Sequence, residues 1–241
     1  GFLMVHRVWP VLVLLAALSP ARGEQATFLG PASCSSTSCH GSLTPRQVTR
    51  IPQHEYRSWA GLGAQADKHS RAFTVLSEPW GQRIARNLGL GKATEAKECL
   101  ACHEPPIDAS RRGRLFAAGD GVSCENCHGA ASGWIESHAK GASHADNVAR
   151  GMVDTKDPAR RTAQCLQCHM GAANRRVDHG LIAAGHPDLT FEVDTFSAAM
   201  PPHWKVDPDA SAHLRTWAIG QAAQLKAQME FTGVVAVATI P

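Results

Sequence analysis

Aromatic residues are scarce in this chain, 6% of 241 residues, too few to fill a core with flat apolar side chains in the usual way. Strand-like alternation is also rare, and Gly and Pro are frequent at 21 and 14 residues, which argues against a sizeable sheet. Beyond the N-terminal stretch no apolar run approaches the roughly 20 residues that cross a bilayer, so no membrane span is expected there. Charge of either sign is barely in excess. Setting aside residues 1–23, which hold Arg7 and Arg22 and no acidic residue, leaves 24 − 2 = 22 Lys and Arg against 21 Asp and Glu. Composition therefore makes no case for a nucleic-acid partner.

What the chain does have is cysteine in tight pairs. Cys124 and Cys127 are two residues apart with His128 next, and the pattern recurs at Cys99, Cys102, His103 and at Cys165, Cys168, His169. A stretched version, with four residues between the thiols, stands at Cys34, Cys39, His40. These four motifs use all eight cysteines. In C-x-x-C-H the two thiols can form thioethers to the vinyl groups of a haem while the histidine ligates its iron. With 13 His in 241 residues, a His would follow a given Cys by chance roughly one time in twenty, and four times over about one in 10⁵. A zinc site needs four converging ligands and no His beside every second Cys. A disulfide scaffold suits a shorter chain. The expectation is four covalently bound haem c groups, hence four irons.

Residues 1–23 read as an export signal, with Arg7 as the basic region, Val8 to Leu18 as the apolar run and Ala21-Arg22-Gly23 at the cleavage positions. The mature part, 24–241, is expected to be one tetrahaem domain, periplasmic or extracellular, with no stable membrane span. About 218 residues for four haems leaves about 55 per cofactor, so porphyrin would form much of the core. The predicted fold is mainly α with long loops, short helices wrapped around a row of four haems. Helices are expected over 44–59 (opened by Thr44 and Pro45, interrupted at Pro52), 67–76, 81–90 (ending at Gly91), 92–103, 159–169 and 208–231. On the last, Leu214, Trp217, Ala218, Ala222 and Leu225 share one face, expected to pack or to form an oligomer contact. The clusters Arg111-Arg112-Arg114, Arg160-Arg161 and Arg175-Arg176 could pair with haem propionates or stand as solvated charge.

Each iron has a sixth position, and its occupant decides between electron carriage and small-molecule binding. Eight histidines remain for it. His69 sits among small and apolar neighbours. His138 follows Trp134 closely after the third motif. His179 and His186 bracket the apolar segment 181–185, and His203 is fixed by Pro201 and Pro202 beside Trp204. These five are the candidate second ligands, whereas His54, His144 and His213 have polar surroundings. Met152, Met170 and Met200 compete less well.

The motifs, the K-H-x-x-A-F segment at Lys68 to Phe73, and G-V-S-C-E-N-C-H-G at 121–129 followed by Trp134 and His138 resemble the multihaem cytochromes grouped with cytochrome c-554. The segments Val177 to Glu192 and Met200 to Trp204 resemble exported bacterial multihaem cytochromes. The resemblance implies a helical electron-transfer protein of the cell envelope and supports His69, His138, His179, His186 and His203 as important positions. Its partners would be other redox proteins of the envelope, with self-association into an oligomer or filament compatible with the sequence. The alternative in another class is a redox enzyme acting on a small nitrogen compound at a five-coordinate haem.

Overall fold

The computed structural model describes residues 25–49, 51–61, 67–201, 203–204 and 209–238, with side chains up to residue 230. The expected export signal and Pro208 lie outside the described residues. Eleven α-helices are described: α1 (Glu55–Ala60), α2 (Thr74–Ser77), α3 (Pro79–Asn87), α4 (Lys97–His103), α5 (Cys124–His128), α6 (Ile135–Ala139), α7 (His144–Ala149), α8 (Pro158–His169), α9 (His179–Ala183), α10 (Val193–Ala199) and α11 (Ala210–Ala238). Most are one or two turns long. Among the described residues there is no strand, only isolated bridges between Phe28 and Arg112 and between Ala172 and Arg175. The fold is mainly helical with long connections. No described helix is long and apolar enough to cross a membrane.

Local chemistry sets where the helices begin. Asp157 caps α8 by accepting from Ala159 N at 2.8 Å, with Pro158 as first residue. Ser123 and Asn126 form a reciprocal capping box that starts α5 on the third cysteine pair. Glu192 caps α10 through Asp194 N and Thr195 N at 2.9 and 2.8 Å. Four expected boundaries are corrected. Thr44 and Pro45 open no helix. Instead Ser42 N bonds Gln53 O and Arg46 N bonds Pro52 O, closing a loop, and the helix starts after Pro52 at Glu55. Residues 67–76 split into a 3-10 turn, Lys68–Arg71, and α2. Residues 92–96 are a turn rather than helix, because Ala96 is extended and α4 begins only after it. The third helix also ends earlier than expected, with Gly89 rather than Gly91 at positive φ (+70°).

The polypeptide's own core is thin. Leu76, Ala85 and Ala93 form one buried cluster, with Phe73, Leu90, Cys99 and Leu100 against it. A second contact joins α8, α10 and α11. Here α11 crosses α10 at Gly220, whose missing Cβ would overlap Val193 Cγ1. The face of α11 turned inward carries Thr216, Ile219, Gly220, Ala223 and Ala227. The Leu214, Trp217 and Leu225 stripe, expected to pack or to form an oligomer contact, is exposed on the chain itself, because close approach of the helices needs small residues at the crossing.

Candidate haem-binding sites

Three of the motifs lie on helix ends. Cys99, Cys102 and His103 close α4, Cys124 to His128 is the whole of α5, and Cys165, Cys168 and His169 close α8. A helical turn places residues i, i+3 and i+4 on one side, so both sulfurs and the imidazole face the same space. In the stretched motif, His40 N bonds Cys34 O at 3.2 Å, and Cys39 N and Gly41 N both bond Ser36 O at 2.9 Å. The two extra residues are taken up in a turn, and the closure that a helix makes four residues back is made here six back. Gly41 is needed for this turn, since any Cβ there would overlap the Ser35 carbonyl. All eight cysteines are free thiols.

The motif histidines are paired with others from distant parts of the chain. His40 faces His138, ring centres 6.0 Å apart and planes 10° from parallel. His103 faces His186 at 6.1 Å and 79°, and His169 faces His69 at 6.2 Å and 82°. Two imidazoles on opposite sides of one metal, each with a bond of about 2 Å and a ring centre about 1 Å further on, would stand about 6 Å apart. His128 is the fourth. Burial pushes its pKa down to about 4, with the charge of His203 the largest electrostatic contribution, followed by His40 and His138. Burial also pushes His169 down to about 4. An imidazole kept neutral is ready to bind a metal. His179 is exposed and meets none of the motif histidines.

Among the described residues, no group of three or more His, Cys, Asp or Glu side chains converges as a metal site. What the described contacts bring together at three of the motifs is instead a pair of imidazoles. Residues 33–129, which are 129 − 33 + 1 = 97 residues, match the family model of cytochrome c554 and c-prime. This match supports assignment to the c-type cytochromes. The matched segment spans the first three motifs and His69. No curated protein and no solved structure matches the chain.

Several other groups in the chain fit a bound haem. Trp134 packs edge-on against His138, ring centres 5.7 Å apart, and its indole nitrogen is buried without a hydrogen-bond partner. Arg161 Nε is likewise buried and unpartnered, while Nη1 donates to Thr155 O at 2.9 Å. A buried donor without an acceptor is costly, and haem propionates are acceptors of the right charge. Most of the other arginines considered for propionates are committed to protein groups. Arg111 donates to Ala26 O and lies over Phe28, Arg112 donates to Ile107 O and lies over Phe116, and Arg175 donates to Ala101 O and Gln167. Arg160 and Arg176 face Asp157 and Asp178.

Contacts that the motifs do not announce orient the candidate ligands. His40 Nδ1 meets Glu55 Oε2 at 2.9 Å and His69 Nδ1 meets Asp67 Oδ1 at 2.9 Å. His103, His186 and His203 each turn Nδ1 to a backbone carbonyl, of Ala72, Pro187 and Pro201. Engaging Nδ1 leaves Nε2 as the nitrogen free to ligate. Phe191 and Phe196 pack on His169, ring centres 5.1 and 5.5 Å away. Glu125, between the third pair of cysteines, is 4% exposed and accepts from Leu29 N, Gly30 N and Ala131 N at 2.9, 2.7 and 2.7 Å. An acid inside the motif was the signal for it, though nothing in the sequence showed what it would bind. The histidines judged polar do have structural partners: His54 bonds Ser42 O, His144 bonds Asp154 and His213 bonds Asp194.

The sites adjoin in an order that differs from the sequence. The Cys34 and Cys124 thiols lie within hydrogen-bonding reach of each other, as do those of Cys102 and Cys168. Cys127 feels the charges of Cys165 and Cys168. By these interactions the first motif neighbours the third, the third neighbours the fourth, and the fourth neighbours the second.

Proposed function

We propose that the chain binds four haem c groups and carries electrons through them, without itself transforming a substrate. Site I would use Cys34, Cys39, His40 and His138, and site II Cys99, Cys102, His103 and His186. Site III would use Cys124, Cys127, His128 and His203, and site IV Cys165, Cys168, His169 and His69. Bound there, haem iron supplies reversible one-electron exchange.

The observation that carries this reading is the placement of a motif and a non-motif histidine with ring centres about 6 Å apart at three sites. Filled axial positions leave no place for a substrate, and the chain's role becomes to hold, orient and electrically tune a row of sites. His179 is left outside this ligand set. Sites I and II stand at the two ends of the row and would be where electrons enter and leave, through other redox proteins of the envelope or through a further copy of the chain. Export to the periplasm or the exterior accompanies this reading, since c-type haem is attached outside the cytoplasm.

The test is the intact mass of purified holoprotein together with its pyridine haemochrome. Four haems per chain, all low-spin when oxidised, support the reading. Fewer than four, or a high-spin fraction at one site, would move the cytochrome towards the enzyme reading, with an open iron acting on a small nitrogen compound.

A further inference from the structure

Glu55 and Asp67 are the two carboxylates that meet candidate axial histidines on the edge turned away from the partner ring. Both are held in place by more than this contact. Gln53 N donates to Glu55 Oε1 at 3.0 Å, and His69 N donates to Asp67 Oδ1 at 3.0 Å. Their side chains are 13% and 4% exposed, so water screens them weakly. At sites II and III the corresponding partners of His103, His186 and His203 are neutral carbonyls, at 2.6, 2.8 and 2.7 Å.

The difference matters to an iron that changes charge. An imidazole donating Nδ1–H to a carboxylate takes on anionic character and becomes the more basic ligand. It stabilises the more positive, oxidised iron over the reduced one. A nearby fixed negative charge acts in the same direction, and a carbonyl dipole does both more weakly. Sites I and IV each have one such carboxylate, and sites II and III have none among the ligand contacts described.

We infer that Glu55 and Asp67 are positioning residues that hold sites I and IV at lower reduction potential than sites II and III, so that low and high potentials alternate along the row I, III, IV, II. The inference rests on the ligand set proposed above. A row of this kind would be two low–high pairs joined end to end, not a single downhill slope.

The experiment is an anaerobic spectroelectrochemical titration of holoprotein, for the wild type, Glu55→Gln and Asp67→Asn. Each amide keeps an oxygen for the backbone donor and removes the charge. Each variant should make the haem whose histidine it contacts about tenfold easier to reduce, about 59 mV for a one-electron couple, with a smaller shift in the same direction at site III, whose His128, His203 and Cys127 also feel these charges, and all four still low-spin. Low-spin spectra with no potential shifted would overturn the inference and leave the ligation standing. A high-spin haem in the wild type would overturn the ligation beneath it. A measurement on the wild type guards against variants that fail to mature. Followed by electron paramagnetic resonance (EPR), the signal of site I, identified as the one that His138→Ala removes, should be among the last two lost on reduction; its loss among the first two overturns the inference.

Discussion

The imidazoles of His40 and His138 lie nearly parallel, at 10°, whereas the His103–His186 and His69–His169 pairs are nearly perpendicular, at 79° and 82°. Parallel axial rings act on the same iron d orbital and split the pair that perpendicular rings leave almost degenerate. In the proposed ligation, oxidised holoprotein should give one rhombic low-spin EPR signal from site I and highly anisotropic signals from sites II and IV. His138→Ala should remove the rhombic signal and put a high-spin one in its place. Retention of the rhombic signal in that variant would contradict the pairing.

Glu125 ties the N-terminal segment to the third motif through three backbone amides, two of them buried. Glu125→Gln turns an amide NH₂ towards one of these donors, and the variant should lose about 2–4 kcal/mol of stability. Thermal unfolding of holoprotein followed at the Soret band checks this, and an unchanged midpoint would mean that the clamp contributes nothing.

Gly220 is the point of closest approach between α11 and Val193, itself 2% exposed. Gly220→Ala gains about 1 kcal/mol of helix propensity but overpacks the crossing at a cost of about 1–3 kcal/mol. The single variant should therefore melt at or below the wild-type temperature. Adding Val193→Ala should make the Gly220→Ala change favourable relative to Val193→Ala alone. If Gly220→Ala clearly stabilises the wild type, the helices do not pack as described.

Glu192 caps α10, which places Phe196 against His169. Burial raises the pKa of this carboxyl, but the amides of Thr195 and Asp194 outweigh it, and the net direction is down. A depressed folded-state pKa means stability that is present above the unfolded value, near 4.5, and is lost as pH falls through the folded value. Glu192→Ala should cost about 1 kcal/mol at pH 7, and the difference from wild type should shrink as pH falls below the unfolded value of 4.5. A difference independent of pH would contradict the capping role.

Much of the site chemistry was legible because haem attachment needs particular residues at fixed spacing. The eight cysteines and His40, His103, His128 and His169 follow from that alone. The candidate partners could be named only as surplus histidines among small or apolar neighbours; of the five, His69, His138 and His186 have a ring contact with a motif histidine, and His203 acts on His128 through its charge. Which faces which was not legible, since His40 and His138 are 98 residues apart and only the folded chain brings them together. His179 shows the limit of the local argument: its apolar neighbours Leu181 and Ile182 resemble a haem-facing segment, yet His179 is exposed while His186, beyond the same segment, meets His103. Helix starts were misjudged where a nominal cap competed with loop bonding, as Thr44 did with the Ser42–Gln53 and Arg46–Pro52 bonds. Packing and an oligomer contact were not separable for the α11 stripe, because hydrophobicity alone ranks Leu and Trp above the small residues that the crossing with Val193 demands.

The central claim is that every iron would have two histidines. Its most direct test is the carbon monoxide difference spectrum of anaerobically reduced holoprotein. The proposed ligation predicts no change, because no axial position is open. A Soret shift equivalent to one haem in four would show an open or labile iron, with site III the first place to look, and would contradict the account.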